Sequence, residues 1–297
     1  LKYVNIHDAS NAVMIRYDDQ NNEGLYEIEN SRFSHNGNGL DVRKWDNGNS
    51  TINIKDSEFS WNNRGIYISG GDQRTDEITV NNCDITHNGG WDEWHEPNYG
   101  IEIHNGSKAL IKDNVIMFNQ PRYFSEDEGN GRGVGVQIWY SNPTIIGNII
   151  AENGAMDWYG DNSLNWGVFI EGVSSSDDSI TIRYNNIYNN GPYDVYINQY
   201  STCCQGDSID MSQNYWGEFT TNEIESGDNP QNLTRIYDWY DSEGDNRYID
   251  YKDWLTSPIY HDFLVKIGQP EAIPEDTMGV DVFVATPYDT SFVSAEL

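Results

Sequence analysis

The sequence predicts an all-β chain wound into a right-handed parallel β-helix of about seven to eight coils with a C-terminal cap. Three observations predict it. A short pattern recurs six times, built on Phe33, Phe59, Ile85, Ile116, Ile150 and Ile187. Three residues after each anchor stands an asparagine: Asn36, Asn62, Asn88, Asn119, Asn153 and Asn190. Each copy then resumes with a segment that alternates with period 2, such as Ile66-Tyr67-Ile68 or Ile101-Glu102-Ile103, which reads as strand rather than helix. A repeat this small cannot bury its own apolar face and must stack on its neighbours.

In chain order, Val13-Met14-Ile15 is a degenerate first copy of the strand. The later copies are Leu40-Asp41-Val42, Ile66-Tyr67-Ile68, Ile101-Glu102-Ile103, Val136-Gln137-Ile138, Val168-Phe169-Ile170 and Val195-Tyr196-Ile197. Two residues before each anchor stands a small or amide residue: Ser31, Ser57, Cys83, Asn114, Asn148 and Asn185. Five before each is an apolar residue, from Ile28 to Ile182. Trp216, with Asn214 two before it, anchors one more turn. The asparagines are expected to form a ladder at one corner, where side-chain amides satisfy turn backbone. Cys83 falls in the second series, which makes it structural. His35 and His87 share a repeat position with Trp61 and Phe118 and read as surface packing.

After Gly217 the repeat stops. Thr220–Glu225 reads as a short capped helix, and residues 218–268 as a cap over the open end of the core. Residues 269–297 open with Gln-Pro-Glu-Ala-Ile-Pro and read as a linker or the start of a following module, with a strand near Val280. The organisation expected is therefore 1–217 β-helix, 218–268 cap and 269–297 linker. The chain starts without Met and directly in strand-like sequence, which reads as a piece of a longer, multidomain chain.

Charge bounds the partners. The 17 basic and 48 acidic residues give a net charge of −31, without the basic footprint that nucleic acid requires. No apolar run reaches the roughly 18 residues of a membrane helix. Such acidity suits an extracellular or cell-surface protein, and carboxylate clusters suit Ca²⁺, which takes oxygen ligands. Asp127 and Glu128, in Asp-Glu-Gly-Asn-Gly, are the calcium candidates; no other cofactor is implied. The three cysteines form no disulfide framework.

The pattern N-x-I-x-x-N followed by G-I-x-I, over about residues 25–217, resembles the repeats of pectate-lyase-like and other carbohydrate-binding or sugar-hydrolase β-helix proteins. The resemblance implies the fold and a polysaccharide partner. It leaves the reaction open, because one fold hosts many functions. No lyase signature and no polygalacturonase aspartate pair is present.

The working face is expected where the coils are unequal. The ladder asparagines stand 26, 26, 31, 34 and 37 residues apart. The excess lies in three loops at one corner, 89–100, 120–135 and 154–167, and solenoid insertions map to one face. The loops bring Trp91, Trp94, His95, Tyr99, Asp157 and Trp158, aromatics beside acids, as a sugar site uses. The following strands present two outward rows. Asp41, Tyr67, Glu102, Gln137, Phe169 and Tyr196 form one; Arg43, Ser69, His104, Trp139, Glu171 and Asn198 form the other. Glu102, His104 and Glu171 are the catalytic candidates. Gln137 and Trp139 join the loop residues as substrate contacts. Glu102 and Glu171 stand two coils apart, roughly 9.5 Å at the usual strand spacing, near the upper end for an inverting carboxylate pair. His104 beside acids would serve as a base next to a uronate. Few basic residues lie near the patch, so a neutral or Ca²⁺-bridged polymer suits it better than a bare uronate. Two function classes follow: a glycoside hydrolase or polysaccharide lyase, or a non-catalytic adhesin-type module of a large surface protein.

Overall fold

In a computed structural model, the described residues are 1–17, 24–44, 50–70, 77–89, 98–120, 133–154, 165–172, 180–198, 208–242, 247–259, 279–283 and 292–296. Residues 1–257 form one unit and 258–297 another. The first unit is a right-handed parallel β-helix of three parallel sheets, of seven, eight and eight strands.

Alternation dictates the core. Leu40 and Val42, Ile66 and Ile68, Ile101 and Ile103, Val136 and Ile138, Val168 and Ile170, and Val195 and Ile197 all point inward with no exposed surface. Each such side chain contributes about 1.5–3 kcal/mol relative to exposure. The anchors fill the opposite wall, and Phe33 stacks on Phe59 with centroids 4.9 Å apart.

Two buried ladders hold the coils in register. Each asparagine of the first donates its amide to the next rung, Asn62 Nδ2 to Asn88 Oδ1 at 3.1 Å and Asn119 Nδ2 to Asn153 Oδ1 at 2.8 Å. The same amide donates to the anchor carbonyl of the preceding coil, as Asn119 does to Ile85. Its oxygen accepts the backbone N–H of the previous rung, as from Asn88 at 3.0 Å. The second ladder runs from Ser31 and Ser57 through Cys83, Asn114, Asn148 and Asn185 to Asn214. Cys83 is buried there with a free thiol. His35, Trp61, His87 and Phe118 all have positive φ and stack along a corner, with centroids 6.2, 4.6 and 5.1 Å apart.

The structure departs from the sequence expectation at two places. Strands of the outward-facing sheet begin at Asn98, Gly133 and Asn165, two or three residues before the glycines that seemed to end the loops. Gly100 and Gly135 are strand residues. A Cβ on Gly135 would sit 2.6 Å from the Gly167 carbonyl and 2.7 Å from the Asn153 amide, so close approach, not a turn, demands glycine.

The second departure is at the C-terminal end, where the sheets do not stop at residue 217. Ile236–Tyr237 pairs with Tyr193–Asn198, and Tyr248–Asp250 pairs with Ser208–Asp210. The helix spans Gly217–Ser226 and buries Thr220, Thr221 and Ile224; it starts earlier than expected and has no side-chain cap at its N-terminus. Its last carbonyls are satisfied instead by amides, Asn229 Nδ2 to Ile224 O and Gln231 Nε2 to Glu223 O, each 2.8 Å.

In the second unit, Gly279–Phe283 pairs antiparallel with Phe292–Glu296. Among the described residues no helix is long and apolar enough to cross a membrane.

Candidate functional site

Register sets the outward rows. Asp41 pairs with Tyr67, Tyr67 with Glu102, Glu102 with Gln137, Gln137 with Phe169, and Phe169 with Tyr196. In the second row, His104 pairs with Trp139 and Trp139 with Glu171. Parallel pairing without a slip is what the ladders enforce, so residues far apart in sequence share one surface.

The face divides into two halves. The first is ionic. Glu102 Oε1 lies 2.5 Å from His104 Nε2, and both side chains are at least nine-tenths buried. Arg64 Nε lies 3.8 Å from the other carboxylate oxygen of Glu102. Asp41, fully buried, accepts from Arg43 Nε at 2.8 Å. That hydrogen bond holds the Arg43 guanidinium above its ordinary value. Arg43 also lies over the Tyr67 ring, 5.1 Å from its centroid. Burial pushes the Tyr67 phenol up, its hydrogen bond to Ser69 opposing. Gln137 Nε2 donates to Glu171 Oε2 at 3.3 Å, and Glu171 is half-buried. The His104 ring meets Trp139 edge to face at 4.4 Å, and Trp139 is 38% exposed.

The second half is aromatic. Tyr99, Val134, Trp166 and Phe169 form an apolar cluster separate from the main core, with Tyr193 and Tyr196 packed against it. Trp166 stacks on Tyr196 at 4.7 Å, and Tyr196 on Tyr237 at 4.4 Å.

The site candidates fall into three groups. Glu102, His104, Gln137, Trp139 and Glu171 share the ionic surface. Tyr99 is 3% exposed and packs in the aromatic cluster, so its ring is not a free platform. Trp91, Trp94, His95, Asp157 and Trp158, and the calcium candidates Asp127 and Glu128, lie outside the described residues. Among the described residues no group of three or more His, Cys, Asp or Glu side chains is placed to hold a metal ion.

Arg64 escaped the sequence reading. Strict alternation from Ile66 assigns it to the core side, yet its guanidinium reaches Glu102 on the outward face. The signal was Gly65, whose Cβ would meet the Gly100 carbonyl at 2.4 Å, a sign that alternation is interrupted there.

The sequence model of one family, described as the right handed beta helix region, matches residues 1–228. No curated protein and no solved structure matches the chain.

Proposed function

The chain belongs to the right-handed β-helix family, and from that footing we propose that it engages polysaccharide on the ionic half of its outward sheet. One observation carries the reading: the buried Glu102–His104 contact at 2.5 Å, beside the exposed edge of Trp139. A carboxylate touching an imidazole can hold or pass a proton, and a neighbouring indole offers a sugar its apolar face. Glu171 lies two strands away in the next row, tethered by Gln137. Two strand spacings amount to about 9.6 Å, which suits hydrolysis by an acid and a water-activating base better than a covalent route. In this reading Glu102 and Glu171 are the catalytic carboxylates and His104 sets the proton on Glu102. The site of action is extracellular or the cell surface, in keeping with the net charge of −31.

A second reading, a non-catalytic adhesion module, is favoured by the aromatic half of the same face. Trp166, Phe169, Tyr196 and Tyr237 pack on one another, as a structural surface would. Both readings are tested by incubating the protein with a panel of polysaccharides while recording retention and new reducing ends. Turnover that falls at least 100-fold in both Glu102→Gln and Glu171→Gln is the expected result for the enzyme. Retention with no product from any polymer removes catalysis and leaves the module. Turnover unaffected by either substitution removes the assigned residues.

A further inference from the structure

The hydrogen-bond balance of the ionic half points to the class of sugar. Among the described residues, Asp41 Oδ2, Glu102 Oε2 and Gln137 Oε1 are buried acceptors without a hydrogen-bond donor. All three belong to one register row. A buried acceptor left without a donor costs about 1–3 kcal/mol, more when charged, so a set of three on one surface calls for a partner that supplies hydrogens. The cations on the surface do not invite an anion. Arg43 is bonded to Asp41, and Arg64 stands beside Glu102. Three carboxylates, Asp41, Glu102 and Glu171, face two guanidiniums, so the patch is net negative before any ligand arrives. A uronate or sulfate ester would add negative charge and more acceptors to a surface already short of donors. A hydroxyl-rich, uncharged sugar supplies the missing hydrogens and no charge.

Resting on the polysaccharide reading above, we propose that the Glu102–Gln137–Trp139 surface is a subsite for an uncharged glycan. Its hydroxyls donate to Glu102 Oε2 and Gln137 Oε1, and its ring edges onto Trp139. Asp41 is fully buried and acts by holding Arg43, not by contact.

The test is retention of the full chain on immobilised polymers of three kinds: an uncharged hexose polymer, a uronate polymer and an amine-bearing polymer. The expected result is preference for the uncharged polymer, unchanged from low salt to about 1 M NaCl, where charge attraction is screened. Gln137→Leu should weaken that retention about tenfold, the usual worth of one hydrogen bond to a well-placed acceptor. Gln137 is buried, so Trp139→Ala, at an exposed position, serves as the second variant and should weaken retention without lowering the melting temperature. Preference for the uronate or the amine-bearing polymer, or uncharged retention that both variants leave intact, overturns the subsite while leaving polysaccharide engagement standing. Retention of none of the three overturns the polysaccharide reading itself.

Discussion

At the residue scale, the ladder asparagines carry the register of the molecule. Asn119 is fully buried and makes four ladder contacts: it accepts from Asn88 N and Nδ2 and donates to Ile85 O and Asn153 Oδ1. Asn119→Ala leaves the Asn88 donors and the Ile85 carbonyl buried without partners. Each orphan costs roughly 1–3 kcal/mol, so the loss should exceed that of most single substitutions. Urea unfolding of the variant checks it; a loss below about 1 kcal/mol would mean that the rungs do not act as a network. The ladder ends in a different residue for a physical reason. Asp194 Oδ1 accepts from Asn190 N and Nδ2 at 3.0 Å, and its Oδ2 accepts from Arg235 Nε at 2.8 Å. A carboxylate closes a donor-rich end because it brings no N–H of its own. Burial pushes the Asp194 carboxyl up, and Arg235 pulls the other way. Arg235→Met therefore leaves an unpaired buried carboxylate, at roughly 3–5 kcal/mol near neutral pH. The penalty should shrink as pH falls, because Asp194 can then take up a proton. Denaturation of the variant at pH 7 and pH 5 reads this directly, and a penalty that grows toward pH 5 would contradict the assignment.

At the element scale, the C-terminal cap is built around Asp238. Its two oxygens accept the backbone N–H groups of Tyr240 and Ile249, each at 3.0 Å, joining the turn after Ile236–Tyr237 to the strand Tyr248–Asp250. Burial pushes its carboxyl up to about 6, and Asp241 adds to the effect. Between the ordinary aspartate value near 4 and about 6, the folded chain binds this proton more tightly than the unfolded chain does. Stability from this group therefore falls as pH rises through that window and is level above it. Asp238→Asn removes the titration, so the wild-type minus variant difference in unfolding free energy should decline from pH 4 to pH 6. A flat difference would show that Asp238 titrates normally. The cap strands themselves were not legible in the sequence, because no ladder asparagine marks Ile236 or Ile249. The regular strands were legible, because period-2 alternation and the asparagine spacing are independent signals that agree. The outward rows followed from them, since fixed register carries Glu102, His104, Gln137, Trp139 and Glu171 to one surface. Their surroundings were not legible. Arg64, Tyr99 and Trp166 lie just before glycines that break the alternation, and which side chain lands beside which then depends on backbone close approach that no period encodes.

At the scale of the whole molecule, the charge and the fold pull against each other. Stacked coils place equivalent residues about 4.8 Å apart, so like charges at one repeat position become neighbours along the axis. The chain carries a net charge of −31, and ion pairs relieve it locally. Glu29 is bracketed by Lys2 and Lys55 at 2.6 Å each, and these pairs hold its carboxyl below the usual range. With 48 acidic against 17 basic residues, most carboxylates have no basic side chain to spare for them. Net self-repulsion destabilises a compact state, and salt screens it beyond about 10 Å at 0.1 M. Surface ion pairs are worth about 0–1 kcal/mol each, so weakening them with salt costs less than relieving the excess negative charge gains. The melting temperature should therefore rise when NaCl goes from about 10 mM to about 0.5 M, and most of the rise should come by about 0.15 M, where the screening length has shortened to about 8 Å. A melting temperature that stays level or falls would mean that the local pairs outweigh the global repulsion. The same titration bears on the ligand: a net-negative outward face that binds an uncharged glycan should bind it equally well across this whole range, while the scaffold beneath it grows more stable.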